Sequence, residues 1–229
     1  MTFAVQFIAD KRLAGARLGV LLMDQPRVGP TTFSFERHEA GVFDGMRKKR
    51  TLASLGEDPV LKSFRDLYWS FGMDPTKVRV SSEALLRRIL KGDNLWRVNN
   101  TVDAVNLASA ETGLPVSLWD FPQVKLPLAV RIAAKEETFH RIGLEPEACS
   151  GTELVVADQE KILTLGFATA DSEQCKVTPD TESALVALYA TKAVSDALLL
   201  DAMKRVKQRL EEFAEGSVKR LGVFGQTTR

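Results

Sequence analysis

One segment, "VNNTVDAVNLASAETGLP" at residues 98–115, constrains this chain more than any other. Read as a helix over 99–112, it places Asn99, Asp103 and Asn106 on one face at i, i+4 and i+7, with Val98, Val102, Val105 and Ser109 beside them. Gly113 supplies a left-handed terminator and Leu114-Pro115 turns the chain away, so the end of the helix is specified. Short polar side chains compete with the helix backbone, which makes an Asn-Asp-Asn row poor material for a face that merely meets water. The row therefore has partners. Either it forms a buried network tying loops together, or it lines a small polar pocket.

The flanking text predicts mixed secondary structure. "FAVQFIAD" alternates apolar and polar residues, and "ARLGVLLMD" is an apolar run closed by Pro26 and Gly29, so both read as strands. A helix is expected from Phe35 to Leu55, with Arg47 to Arg50 spread around it as a solvated face. Val60, Phe64, Leu67 and Phe71 recur at helical spacing until Gly72. Ser81 or Ser82 then caps a second helix whose stripe is Ala84, Leu85, Ile89 and Leu90. Further on come a strand within "SLWDFPQVKLPLAVRIAA", a hairpin around Asp158 to Lys161, and a long helix capped by Thr178 or Thr181 and ended by Gly216. With no fixed repeat and no Pro, Ser or Gly linker, one composite α+β domain is the simplest architecture.

Charge narrows the partners. Thirty-one Lys and Arg against 30 Asp and Glu leave a formal charge of +1, so a polyanion must be met by a local patch. The best patch runs from Lys77 to Arg97, where Lys77, Arg79, Arg87, Arg88, Lys91 and Arg97 face only Glu83 and Asp93. The alternative is a helix whose arginines pair with nearby carboxylates. Cys149 and Cys175 lack metal-site spacing and fit two structural thiols in a reducing compartment. His38 and His140 lie in no nucleophile or HExxH motif, so neither a Ser-His-Asp triad nor a metal is expected, nor any cofactor. The N-terminus has its first charges after its apolar stretch, the wrong order for a signal peptide. No run approaches the ~18 apolar residues of a membrane span. A cytoplasmic protein without membrane contact is expected.

Three stretches carry a family resemblance: "SSEALLRRILKGDNLWRVNNTVDAVNLASAETGLPVSLWD" (81–120), "GTELVVADQEKILTLGF" (151–167) and "VTPDT" (177–181). Together they resemble the B3/B4 domain, found in the β subunit of phenylalanyl-tRNA synthetase and as free-standing proteins. The match covers roughly residues 58–200, with 1–57 as an N-terminal strand and helix extension and 201–229 as a C-terminal helix and tail. The resemblance implies a three-layer α+β fold, a β-sandwich of unusual topology flanked by helices. It also implies a pocket that hydrolyses the ester of mischarged tRNA. In a free-standing protein that becomes trans-editing deacylation, with tRNA as partner and docking on a synthetase left open. A chain of 229 residues leaves no room for a synthetase catalytic domain beside this module, so a complete ligase is not expected.

Position by position, the family's Val-Asp-x-x-Asn is Val102, Asp103 and Asn106, its Ala-Asp is Ala157 and Asp158, and its glycine-bearing strand end is Gly166 and Phe167. Ala187 stands where the synthetase domain has a glutamate for a misloaded tyrosine, and Ser150 falls near a pocket histidine of some synthetases. The loss of that glutamate points to a smaller amino acid. The implied site is Asn100, Asp103, Asn106 and Ser150, with the Gly166 backbone and Thr178 or Thr181 opposite. Arg87, Arg88 and Lys91 would meet tRNA phosphates. An aminoacyl ester is activated, so a positioned water and oxyanion donors would suffice. Asp103 and Asn106 are expected to brace the pocket while Asn100 faces substrate. The rival reading keeps the fold but only binds tRNA, other RNA or a small ligand.

Overall fold

The computed structural model describes residues 3–225. In chain order the elements are β1 (Val5–Phe7), β2 (Arg17–Asp24), α1 (Phe33–Lys49), α2 (Ser54–Glu57), α3 (Pro59–Ser70), α4 (Ser81–Leu90), α5 (Asn100–Thr112), β3 (Val116–Asp120), β4 (Leu128–Ile132), β5 (Thr138–Phe139), β6 (Glu147–Ala148), β7 (Leu154–Ala157), β8 (Ile162–Leu165), β9 (Ala170–Asp171), β10 (Ser183–Ala190), α6 (Asp196–Phe213) and β11 (Ser217–Gly225).

Two sheets form the frame. One has strand order β11-β2-β10-β3 and the other β1-β4-β7-β8-β9. Gly19 of β2 lies so close to Leu199 and Met203 of α6 that a side chain there would strike them, so helices cover the outer face of the first sheet. Its inner face meets the second sheet, where Ser117 of β3 donates to the Asp171 carboxylate of β9 at 2.7 Å. The layers are therefore helices, sheet and sheet: the α+β sandwich flanked by helices that the resemblance implied.

The opening segment folds as its punctuation specifies. Asn99 accepts the Val102 amide at 2.8 Å through its side chain, and Gly113 ends α5 at φ +74°. Ten of the thirteen α5 residues are buried, so the helix runs through the interior rather than along a solvated flank.

Several expectations are corrected. Residues 183–190, "SALVALYA", were expected in the long helix but form β10, central between β2 and β3. A strand covered on both faces needs a continuous apolar run, and periodicity does not separate such a run from a buried helix. The long helix starts only at Ser195, which accepts the Leu198 amide at 3.1 Å; Thr178 and Thr181 cap nothing helical. Residues 217–225 are no tail but an edge strand paired along β2. The α4 helix begins without a side-chain cap, and the hydroxyls of Ser81 and Ser82 are buried without partners. The expected helix from Phe35 to Leu55 is two, α1 and the short α2.

Candidate functional site

The polar row of α5 resolves into a brace. The Asn100 carboxamide is buried, donating to the carbonyls of Arg27 and Phe213, both at 2.8 Å, and accepting the Gly29 amide at 2.9 Å. It therefore clamps the β2–α1 connection to the end of α6, and the expectation that it faces substrate gives way to a structural role. Asp103 accepts the Val98 amide at 3.1 Å and the Thr31 hydroxyl, with the Arg97 guanidinium 3.9 Å away. The half-buried side chain of Asn106 makes no hydrogen bond among the described residues.

The remaining expected residues separate. Asp158 accepts three amides, those of Lys125, Glu160 and Lys161, each at 2.8 Å. Burial alone would raise its carboxyl; these amides outweigh that and hold it low, so it pins the β7–β8 turn. Thr181 accepts the Thr178 amide at 3.0 Å in a closed turn. Thr178 lines an acidic hollow with Asp120, Glu173, Asp180 and Glu182, whose lining includes none of Asn100, Asp103, Asn106, Ser150 and Gly166. Ala187 has no exposed surface. It pairs with Ser117 and Val20 in the sheet interior, so the expectation that it meets substrate is corrected. Nearby rings fill the space: Phe167 stacks on Tyr189 at 4.8 Å and Phe64 meets Phe167 edge-on at 6.4 Å.

Gly166 is sealed from the α3 side. Tyr68, fully buried, accepts the Phe167 amide at 2.9 Å and pairs with the Thr169 hydroxyl at 2.7 Å. Burial pushes its phenol up to about 12. Behind these rings, Tyr189 donates to Ser117 at 3.0 Å, and Ser117 to Asp171, which also accepts Trp119 Nε1 at 3.3 Å. Burial lifts the half-buried Asp171 carboxyl to about 6, and no Lys or Arg pairs with it among the described residues.

A cleft of about 420 Å³ opens beside this interior. Its floor and walls include Met73, Val78, Phe139 and Leu165; its polar rim holds Asp74, Lys77, Arg141, Ser150, Thr152 and Glu153. Leu165 is the last residue of β8 before Gly166, so the opening lined by exposed Ser150 reaches the residue next to that glycine, while Gly166 and Phe167 themselves do not line it. Ser150 Oγ lies 2.9 Å from Thr152 Oγ1. The amides of Ser150, Gly151 and Thr152 converge on the Glu153 carboxylate at 2.9–3.1 Å, an anion nest made by Gly151 at φ +93°. Burial opposes that charge, but the amides win and keep Glu153 low. Across the cleft, Thr76 donates from its hydroxyl and its amide to Asp74, which also stays low. Cys149 is a poor nucleophile, since burial pushes its thiol up to about 11.

The basic patch divides. Arg87 Nε donates to buried Glu83 at 2.8 Å, and Arg65 reaches the same carboxylate at 2.9 Å. Arg97 pairs with Glu39. Lys77, Arg79, Arg88 and Lys91 form no ion pair among the described residues. Tyr68, Asp74, Glu153 and Asp171 were not among the expected residues. The run "SGTE" at 150–153 carries a signal for Glu153, because a carboxylate just after small residues folds back onto their amides. Tyr68 and Asp171 have none in their local sequence.

The family described as B3/4 domain matches residues 63–215. The phenylalanine–tRNA ligase beta subunit of Haemophilus ducreyi is 28% identical over 120 residues, which is 52% of this chain and 15% of that protein. An N-terminal fragment of the phenylalanyl-tRNA synthetase beta-subunit from Pyrococcus horikoshii aligns over 95% of this chain and 51% of that one, at 13% identity and a TM-score of 0.47. The chain thus spans a small part of the first and about half of the second. Among the described residues no helix is long and apolar enough to cross a membrane.

Proposed function

Since this chain belongs to the B3/4 domain family, we propose that it hydrolyses the ester of mischarged aminoacyl-tRNA, and that the cleft beside Ser150 and Leu165 is where it does so. The observation that carries this reading is that exposed Ser150 and Leu165, the residue just before Gly166, line one opening. The two carboxylates held low across it, Asp74 and Glu153, suit the α-ammonium of an amino acid. Lys77 on the rim suits a phosphate of the terminal nucleotide. The paired hydroxyls of Ser150 and Thr152 orient the attacking water and donate to the carbonyl oxygen as charge develops there. Met73, Val78 and Leu165 leave an apolar wall for a small side chain.

The rival reading, tRNA binding without hydrolysis, has its own support: Glu153 already occupies the three amides best placed for an oxyanion. A panel of mischarged tRNAs separates the two. Release of amino acid above the buffer rate, reduced about 10- to 100-fold in kcat by Ser150→Ala, is the expected result. Bound tRNA with no ester released sinks the deacylase.

A further inference from the structure

Between α4 and α5 the chain lays Trp96 on the surface, 60% exposed. The Arg88 guanidinium covers the ring from 4.1 Å above its centroid. Arg88 comes from the last turn of α4 and donates from Nε to the Asn94 carbonyl at 2.5 Å, so the loop that carries the indole also fixes the cation bracing it. Val98, 64% exposed, extends the apolar surface of the same segment.

A single exposed aromatic is ordinary on a protein surface. This one is held by a cation among charges that lack partners. Of the six basic residues between Lys77 and Arg97, Arg87 and Arg97 are committed to Glu83 and Glu39, while Lys77, Arg79, Arg88 and Lys91 have no ion pair among the described residues. Glu83 is consumed inside, leaving Asp93 as the acid of this stretch. A flat ring with neighbouring unpaired cations is the chemistry that holds single-stranded nucleic acid, because every base offers a π face and every linkage a phosphate. Lys77 precedes α4 in the chain and lines the cleft, while Trp96 packs against Arg88 in the last turn of that helix, which is about 15 Å long.

We propose that Trp96, backed by Arg88, is a stacking platform for an unpaired RNA base, with Lys91 meeting the adjacent phosphate and the strand running along α4 toward Lys77. The choice of RNA over DNA rests on the proposed function; the platform itself rests on the ring and its charges.

Fluorescence anisotropy with end-labelled uncharged tRNA and with an unstructured oligoribonucleotide tests this, using the full chain. Trp96→Ala is expected to weaken binding about 5- to 100-fold and Trp96→Phe to restore most of it, while circular dichroism melting stays unchanged. Lys91→Ala is expected to weaken binding and lower the salt slope by about 1. RNA affinity unchanged in Trp96→Ala, or no RNA binding by the wild-type chain, overturns the platform. So does tighter binding of the matching deoxyribonucleotide, or a wild-type dimer that Trp96→Ala dissociates without touching RNA affinity. The two readings fail separately: binding losses without any ester hydrolysis spare the platform and sink the deacylase. Hydrolysis with an unchanged KM and affinity in Trp96→Ala does the reverse.

Discussion

The Tyr68 ring occupies the space that any side chain on residue 166 would need: a Cβ there would fall 2.9 Å from Tyr68 Cζ and closer still to the hydroxyl oxygen. Gly166 also sits at φ +62°, where L side chains are strained. Gly166→Ala is expected to lower unfolding free energy by about 2–4 kcal/mol, read as a shift of the urea midpoint at constant slope. Adding Tyr68→Phe removes the hydroxyl clash but leaves the Phe167 amide without its acceptor, so less than half of the loss returns. A Gly166→Ala protein as stable as wild type contradicts this account.

Asn100 ties three backbone groups together from inside the molecule. Asn100→Ala strands the buried Phe213 carbonyl and two half-buried groups, the Arg27 carbonyl and the Gly29 amide, and is expected to cost about 2–4 kcal/mol. The loss appears in chemical denaturation, and hydrolysis per folded molecule stays near wild type. A stable Asn100→Ala protein with abolished hydrolysis would return this residue to the site.

Asp171 predicts a pH dependence of definite sign. Burial raises its folded pKa to about 6, above the unfolded value of 3.8, so the folded state holds the proton more tightly. Its contribution to stability is present in full below the unfolded value and is lost as pH rises through about 6. Asp171→Asn keeps an acceptor for Ser117 and Trp119 without a charge to bury. Urea midpoints between pH 4 and 7 are expected to show wild type losing ground to the variant as pH rises; parallel curves refute it.

Glu83 is expected to matter through the two cations it holds. Glu83→Ala removes the shared carboxylate from Arg65 and Arg87, but Arg65 keeps the Leu55 and Gly56 carbonyls and both arginines reach solvent, so the expected cost is about 1–3 kcal/mol. By the same geometry, Arg87→Ala lowers the melting temperature yet leaves RNA affinity within about twofold. A large affinity loss in Arg87→Ala would put that residue in contact with RNA.

Local punctuation made α5 legible, because Asn99 and Gly113 act on their own neighbours. The same kind of reading failed at 183–190. There Ala and Leu favour a helix by propensity, and only ladders to residues more than sixty positions away turn them into β10. The candidate site was partly legible for the same reason. Ser150, named from sequence, lines the cleft, whereas of the strand end named as Gly166 and Phe167 only the preceding Leu165 reaches it. Asn100 drew attention through its chemistry, but whether a polar side chain faces a ligand or a carbonyl depends on partners at 27 and 213. Tyr68 was invisible, since its bond to the Phe167 amide spans 99 positions.

The placement of β2 has a consequence for synthesis. This strand, at residues 17–24, pairs on one side with residues 183–190 and on the other with 217–225. Its apolar run must wait, unpaired, while the residues between it and residue 183 leave the ribosome, and loop closure over such separations is slow. A nascent chain halted before residue 183 would carry the first half of its central sheet with nothing to zip against. That open edge is what a chaperone would find to hold.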